Sequence, residues 1–183
     1  ITVTSVVKHD NALKDVAIKL TYYWVFNNFR NANWWCNEIG ANGALGNTAM
    51  FIYQDLHPKA QVALRARLAE SSFRYRLSLL THTGGNLVDY ANLTLQSSIL
   101  NRDREEFELA VQRIEDEIVD TNIEGFQPDG SFFQHGRQLQ TTSYGIVALG
   151  LGKLLRIINK TSRKFDESKL DIISRFILRG FRS

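Results

Sequence analysis

Apolar residues recur in this chain with the spacing of an α-helix, and they do so in seven groups between residues 13 and 177. In the first group, Leu13, Ala17 and Leu20 lie three or four positions apart, which places them on one face of a helix. The other six groups begin at Ala41, Val62, Val88, Phe107, Val147 and Leu170. Seven amphipathic segments with little else between them predict an all-α fold.

Local start signals support several of these helices. Pro58 suits the first helical position before the third group, whose apolar stripe includes Val62, Ala66 and Ala69. Asp103 with Glu106 three residues later predicts a capped start for the fifth helix, and Asp166 predicts an N-cap for the seventh. Only residues 1–7 look like a strand, and an N-terminal arm is an equally good interpretation.

Three polar or aromatic segments, about fifty residues apart, interrupt the helical pattern. Asn33–Gly40 precedes the second helix, Thr83–Asp89 the fourth and Asp129–Gly145 the sixth. Alternate connections of antiparallel helical hairpins emerge at the same end, so we expect all three segments to share one working face. We therefore predict an incomplete (α/α) toroid of about seven helices, with residues 1–183 forming a single helical domain.

Composition narrows the possible functions. The net charge of +3 is small and the basic residues are dispersed, so we expect no nucleic-acid partner. No apolar run approaches the roughly 18 residues of a membrane span. The single cysteine, Cys36, excludes an internal disulfide, and no Cys/His spacing indicates zinc, so we expect neither a metal nor a cofactor. Because the sequence starts at Ile1 without a signal peptide, we expect a processed product or part of a longer polypeptide.

The first polar segment carries adjacent tryptophans, Trp34 and Trp35, after Asn33. We expect them to lie in a loop, where an aromatic platform can stack on sugar rings. Adjacent helical positions point about 100° apart, so both rings can hardly enter one core. The alternative is that one tryptophan anchors the core and the other covers the hairpin.

The second polar segment places Asn86 after Gly84 and Gly85, in the first turn of the fourth helix. Two glycines let a ligand approach the backbone closely, and a helix N-terminus favours an anion. The Asn86 amide could therefore donate to a carboxylate. The alternative is a glycine-rich turn in which the asparagine is a helix cap.

The third polar segment carries His135 and Tyr144, nine residues apart and flanked by Gly136 and Gly145. An imidazole and a phenol at one pocket can share acid and base roles. The alternative is a partly buried histidine and a tyrosine packed at a helix start. Arg137 is a candidate for attracting an anionic substrate, although a solvated loop arginine is the simpler interpretation.

Taken together and in this order, the three segments resemble the helical catalytic domain of polysaccharide lyase family 8, which includes hyaluronate, chondroitin AC and xanthan lyases. The matching motifs are Asn33-Trp34-Trp35 with Glu38-Ile39-Gly40, Thr83-Gly84-Gly85-Asn86 with Asp89, and Asp129-Gly130-Ser131 with His135 and Tyr144-Gly145. Gln134-His135-Gly136 and Gln138-Leu139-Gln140 look most similar to the chondroitin AC branch. The resemblance covers roughly residues 20–182.

The resemblance implies a reaction and roles for particular residues. The reaction is β-elimination at a uronic acid in chondroitin or hyaluronan, with Asn86, His135 and Tyr144 as the catalytic set. Asn33, Trp34, Trp35, Gln134 and Arg137 would contact the sugar chain. It also implies a secreted or periplasmic enzyme whose β-sandwich domains lie outside this chain. An arginine-rich motif is expected beyond Arg182, so neither Arg179 nor Arg182 receives a catalytic role.

Two other functions remain open at this stage. A non-catalytic carbohydrate-binding module, or an inactive fragment of such a lyase, would have the same fold and the same tryptophans. A helical-toroid glycoside hydrolase would need two carboxylates across its cleft. The acids of the marked segments form no obvious pair: Glu38, Asp89, Glu124 and Asp129.

Overall fold

Seven α-helices dominate residues 10–181, the part of the chain that this computed structural model describes apart from the side chains at positions 153 and 157. The strand-like residues 1–7 and Arg182 lie outside the described residues. All seven predicted helices are found. They are α1 (Asn11–Asn27), α2 (Ala41–Ile52), α3 (Pro58–Ala69), α4 (Gly84–Asn101), α5 (Arg104–Glu117), α6 (Tyr144–Ile158) and α7 (Glu167–Arg175).

The predicted start signals act as expected. Pro58 is the first residue of α3. The Asp166 carboxylate accepts a hydrogen bond from the Ser168 amide at 2.8 Å, and the Asp103 carboxylate accepts one from the Glu106 amide at 3.0 Å. The Glu106 carboxyl group does not complete a capping box, because it is buried and accepts a hydrogen bond from the Ser72 hydroxyl.

Contacts divide the chain into two compact units, which we describe separately. The first unit comprises Ile1–Leu77 and Leu93–Phe107, and the second comprises Ser78–Asn92 and Glu108–Ser183. This division is finer than the single domain predicted from the sequence. It places the tryptophan segment in the first unit and the other two polar segments in the second.

In the first unit, α1, α2 and α3 pack on one another. Helix α3 was predicted correctly, but its predicted stripe of Val62, Ala66, Ala69 and Phe73 was only partly right. Val62 and Ala66 are exposed, Phe73 is buried, and the buried side chains within the helix include Leu64 and Leu68. Arg67 joins this buried face because its guanidinium bonds to the Asn37 carbonyl oxygen and to the side chains of Asn28 and Glu70. Because Arg67 is charged, the face of α3 that is buried did not look apolar in the sequence.

In the second unit, part of the Asp129–Gly145 segment forms a small sheet, where we had expected a loop. The strands are β1 (Gly125–Phe126), β2 (Phe132–Gln134) and β3 (Gln138–Leu139), paired antiparallel in the order β1-β2-β3. In the pairing between β2 and β3, Gln134 lies opposite Gln138, which leaves a three-residue turn at 135–137. Strands this short lack the alternating pattern that would have predicted them.

A cluster of phenylalanines anchors this sheet. The rings of Phe126 and Phe132 lie edge to face at 5.2 Å, and both contact Phe176, which follows α7. All three rings are buried. Phe176 begins a π-helical turn, Phe176–Gly180, that continues α7. The sheet and the C-terminal helical segment of the second unit therefore share one aromatic core.

Candidate active site

His135 and Tyr144 are hydrogen-bonded to each other in the second unit. His135 Nε2 lies 2.9 Å from the Tyr144 hydroxyl, and the two rings meet edge to face with centroids 5.0 Å apart. Tyr144 is the first residue of α6, and His135 opens the turn between β2 and β3. The structure thus brings together the imidazole and the phenol that the sequence had only placed nine residues apart.

The turn that presents His135 requires unusual backbone angles. His135 has a φ of 56° and Gly136 a φ of 78°, both in the left-handed region. Glycine adopts this region freely, whereas for histidine it is uncommon and occurs where surrounding contacts hold it. The side chains of His135 and Arg137 are exposed on this turn. An exposed imidazole bonded to a half-buried phenol is accessible to a ligand.

The start of α4, which carries Asn86, packs against Tyr144. A Cβ atom on Gly85 would lie 2.9 Å from Tyr144 Cδ1, so this position must be glycine for the helix to approach the tyrosine this closely. Asn86 follows immediately and is half-buried. The first turn of α4, which carries Asn86, and the phenol ring of Tyr144 are therefore packed neighbours within the second unit.

Glu124 joins the segments that carry these residues. Its Oε1 accepts a hydrogen bond from the Gly136 amide at 2.6 Å. Its Oε2 accepts from the Thr83 hydroxyl at 2.6 Å and from Gln134 Nε2 at 2.7 Å. One carboxylate therefore binds the residue before α4, the strand β2 and the His135 turn.

Gln134 takes a different position from the one predicted. We had expected it to contact substrate, but it is only 2% exposed, because its side chain points from β2 toward the start of α4. Its Oε1 accepts from the Gly85 amide at 2.7 Å, and its Nε2 donates to Glu124. Both ends of its amide bind protein groups, so we assign Gln134 to the support of the site.

A second buried acid, Glu117, also holds the start of α4. Its Oε1 accepts a hydrogen bond from the Gly84 amide at 2.5 Å. Burial raises the pKa of Glu117 to about 7, and the nearby Glu124 adds to this shift. The Gly84 hydrogen bond and the Arg113 guanidinium, 3.7 Å away, oppose the shift. One of the carboxyl groups that hold the start of α4, that of Glu117, therefore has a pKa near neutral pH.

We predict that Glu117→Gln flattens the pH dependence of stability. The unfolded chain releases this proton near the ordinary pKa of 4.5 and the folded chain near 7, so the folded state binds more protons between these values. Stability from this group therefore falls as pH rises from 4.5 to 7. Relative to the variant, the wild type should lose about 3 kcal/mol at most over this range. Urea unfolding from pH 4 to pH 8 measures the difference, and parallel curves would contradict the prediction.

Asp89 lies one helical turn after Asn86 on α4. Burial raises the pKa of its carboxyl group to about 6. Three carboxyl groups, Asp89, Glu117 and Glu124, thus belong to the second unit near the first turns of α4. Of these, Glu117 and Glu124 are occupied by backbone and side-chain donors, as their hydrogen bonds show.

The sequence analysis missed the supporting roles of Glu117 and Glu124. For Glu117, a signal was present: it lies three positions after Ile114, on the apolar stripe of α5. A carboxylate on a buried stripe needs donors, and the amides at a neighbouring helix start provide them. For Glu124, which lies in a connection, no periodicity marked the position.

The first unit holds the tryptophan segment, and the loop predicted there is wrong. Trp34 and Trp35 form a helical turn that continues through the π-helical turn Cys36–Gly40 into α2. Asn33 starts this turn by accepting a hydrogen bond from the Trp35 amide at 3.0 Å. Asn33, predicted to contact substrate, thus places its side-chain oxygen on the backbone as a helix cap.

The two tryptophans line different cavities. Trp34 is 47% exposed and lines a cavity of about 570 Å³ with Arg30, Tyr75 and Arg76. Trp35 is 42% exposed and lines a cavity of about 410 Å³ with Phe29. Neither ring is a core anchor, which excludes the alternative of one buried and one covering tryptophan.

No cluster of His, Cys, Asp and Glu that could hold a metal ion occurs among residues 10–181. None of the helices described here is both long enough and apolar enough to cross a bilayer.

Comparison with known proteins identifies the family. The family model described as "Polysaccharide lyase family 8, N terminal alpha-helical domain" matches residues 3–183. The chain therefore belongs to polysaccharide lyase family 8. The predicted fold class, an all-α incomplete toroid of helical hairpins, is confirmed by this family membership and by the structural likeness given next.

Three relatives illustrate the similarity. A chondroitinase AC from Pedobacter heparinus is 31% identical over 169 residues, which are 91% of this chain and 24% of that protein. A hyaluronate lyase from Staphylococcus aureus is 27% identical over 145 residues, or 72% of this chain and 18% of that protein. A chondroitinase AC lyase solved in complex with oligosaccharides matches 94% of this chain and 25% of that chain, with a TM-score of 0.81 and 28% identity. The chain thus spans a quarter or less of the relatives it matches.

Proposed function

We propose that this chain is the helical part of a polysaccharide lyase that cleaves a uronic-acid-containing glycosaminoglycan, such as chondroitin or hyaluronan, by β-elimination. The observation that carries this proposal is the 2.9 Å hydrogen bond between His135 and Tyr144, formed beside the first turn of α4. In a member of polysaccharide lyase family 8, this arrangement supplies an acid–base pair packed against the helical turn that carries Asn86.

In the proposed reaction, Tyr144 acts as base and then as acid. As phenolate it takes the proton from C5 of the uronate, and the electron pair of the broken C5–H bond forms a C4=C5 double bond. The C4–O4 bond breaks at the same time, and the departing oxygen receives the proton from the Tyr144 hydroxyl. The proton and the electron pair are balanced without a cofactor.

Asn86 and His135 would make this proton removable. A proton next to a carboxylate is weakly acidic, because the carbanion adds negative charge to an anion. Donation from the Asn86 amide to the carboxylate stabilises that charge as it develops. His135, hydrogen-bonded to the Tyr144 hydroxyl, orients the phenol for proton transfer. Arg137, exposed on the same turn, would attract the anionic chain.

An assay of product formation tests the proposal. The complete polypeptide that the gene encodes is mixed with chondroitin or hyaluronan, and ultraviolet absorbance is followed, because the unsaturated product absorbs and the substrate does not. A rising absorbance supports a lyase. Binding without any product would overturn the proposal and favour a carbohydrate-binding module. Since these polymers lie outside cells, the proposal also places the protein in a secreted or periplasmic location.

We predict that Trp35→Ala weakens binding of the polysaccharide more than it slows turnover. The indole is 42% exposed and rests on Gly40, so one face is available for stacking on a sugar ring. We expect the affinity to fall about three- to tenfold. Titration calorimetry with a size-defined oligosaccharide measures this, with Phe51→Ala as a control at another exposed aromatic of the first unit. Unchanged affinity would remove Trp35 from the binding surface.

A further inference from the structure

We propose that Glu124 is the positioning residue of this site: its carboxylate fixes the start of α4, which carries Asn86, against the turn that carries His135. This inference rests on the proposed function, because positioning has a measurable consequence only if the site turns over. It concerns a residue that acts through others and does not itself meet the reacting atoms.

The hydrogen bonds of Glu124 are distributed over two distant segments of sequence. Thr83 lies directly before α4, whereas Gln134 and Gly136 lie on either side of His135. The three donors lie 2.6, 2.7 and 2.6 Å from the carboxylate oxygens. Hydrogen bonds to an ionised acceptor are stronger than neutral ones, so this carboxylate holds the two segments together more firmly than an amide would.

Gln134 completes the connection on the α4 side. Its Oε1 accepts from the Gly85 amide at 2.7 Å while its Nε2 donates to Glu124. A continuous chain of hydrogen bonds therefore runs from the Gly85 amide through Gln134 and Glu124 to the Gly136 amide. Gly85 is adjacent to Asn86, and Gly136 is adjacent to His135. Asn86 and His135 are thus each one peptide unit away from an anchored amide.

The same contacts argue against Glu124 as the reacting base. Both of its oxygens already accept hydrogen bonds from protein donors, and proton removal would require breaking at least one of them. Occupied lone pairs also reduce the repulsion that an unpartnered carboxylate would exert on a uronate. The geometry therefore suits a supporting role and not a direct one.

Glu124→Gln tests this role in the complete polypeptide. The introduced amide has one oxygen and one NH₂ group. In one orientation its NH₂ group faces the Nε2 donor of Gln134, and in the other it faces the Gly136 amide, so in each case one hydrogen bond is lost. We expect kcat to fall about ten- to a hundredfold, because small displacements of catalytic groups have effects of this size. We expect KM to stay within about threefold, since the binding residues are unchanged. Glu167→Gln, an exposed exchange in α7, is the matched control.

A double variant separates positioning from a general loss of folding. In Glu124→Gln combined with Gln134→Glu, the amide and the carboxylate change places, so a donor again faces an acceptor and the Gly85 amide still meets an oxygen. We expect this exchange to return kcat to within about threefold of the wild type. Thermal unfolding of each variant is measured alongside the kinetics.

The outcomes distinguish failure of this inference from failure of the proposed function. If the wild type forms no unsaturated product, the proposed function itself fails. If the wild type is active, an unchanged kcat in Glu124→Gln overturns the positioning role. A double variant that regains thermal stability without regaining kcat also overturns it, because Glu124 would then serve only the fold. A lowered kcat that the exchange restores supports it.

Discussion

Replacing Tyr144 with phenylalanine is expected to lower kcat for chondroitin or hyaluronan by about a thousandfold or more while leaving binding nearly unchanged. The substitution removes the one oxygen that lies 2.9 Å from His135 Nε2 and that is proposed to accept the C5 proton. The ring itself remains, so its close packing against Gly85 is preserved. The effect should therefore fall on the chemical step.

The measurement compares product absorbance and oligosaccharide affinity for the wild type and Tyr144→Phe, both as complete polypeptides. Tyr23→Phe, which removes the hydroxyl of an exposed tyrosine in the first unit, is the control and should leave both quantities unchanged. Wild-type rates in Tyr144→Phe would show that another group removes the proton. A parallel loss of affinity and rate would show that the hydroxyl binds substrate and does not react.

The helices were predictable because their periodicity is local information. Groups such as Ala41 to Ile52 repeat over three turns, and caps such as Asp166 add independent signals at their ends. The faces of the helices were less predictable. In α3, Arg67 is buried through hydrogen bonds to groups up to 39 residues away, and no local pattern carries that information.

The candidate site was predictable as a set of residues but not as an arrangement. The motifs marked Asn86, His135 and Tyr144, and the structure joins the last two directly. The supporting roles of Glu124 and Gln134 could not be predicted, because their hydrogen bonds to Thr83 and Gly85 span 41 and 49 residues of the chain. Hydrogen bonds of this range depend on the fold itself, whereas a motif records only neighbours in sequence.

In the tryptophan segment, the local structure itself was predicted wrongly. Two adjacent aromatic residues in a polar stretch were expected to stand together in a loop, but Asn33 caps a helical turn that contains both. Once the turn is helical, adjacent side chains diverge, and each ring lines its own cavity. Asparagine is a preferred N-cap residue, so Asn33 was a signal for a helix start that the loop prediction did not use.

Phe176→Ala is expected to destabilise the protein by about 3–5 kcal/mol, the range for removing a fully buried phenylalanine ring. Phe176 is 1% exposed and contacts Phe126 and Phe132 with centroids 5.3 and 5.9 Å away. Its ring also packs on Gly145, next to Tyr144: a Cβ atom added to Gly145 would lie 3.2 Å from Phe176 Cζ. The loss should therefore loosen both the sheet that carries His135 and the start of α6, and turnover should fall with stability.

Urea unfolding measures the effect against Ile177→Ala, a neighbouring side chain that is 39% exposed and should change stability by about 1 kcal/mol or less. Equal destabilisation by the two variants would contradict a specific role for the aromatic cluster, because its contribution would then be no greater than that of a half-exposed aliphatic group.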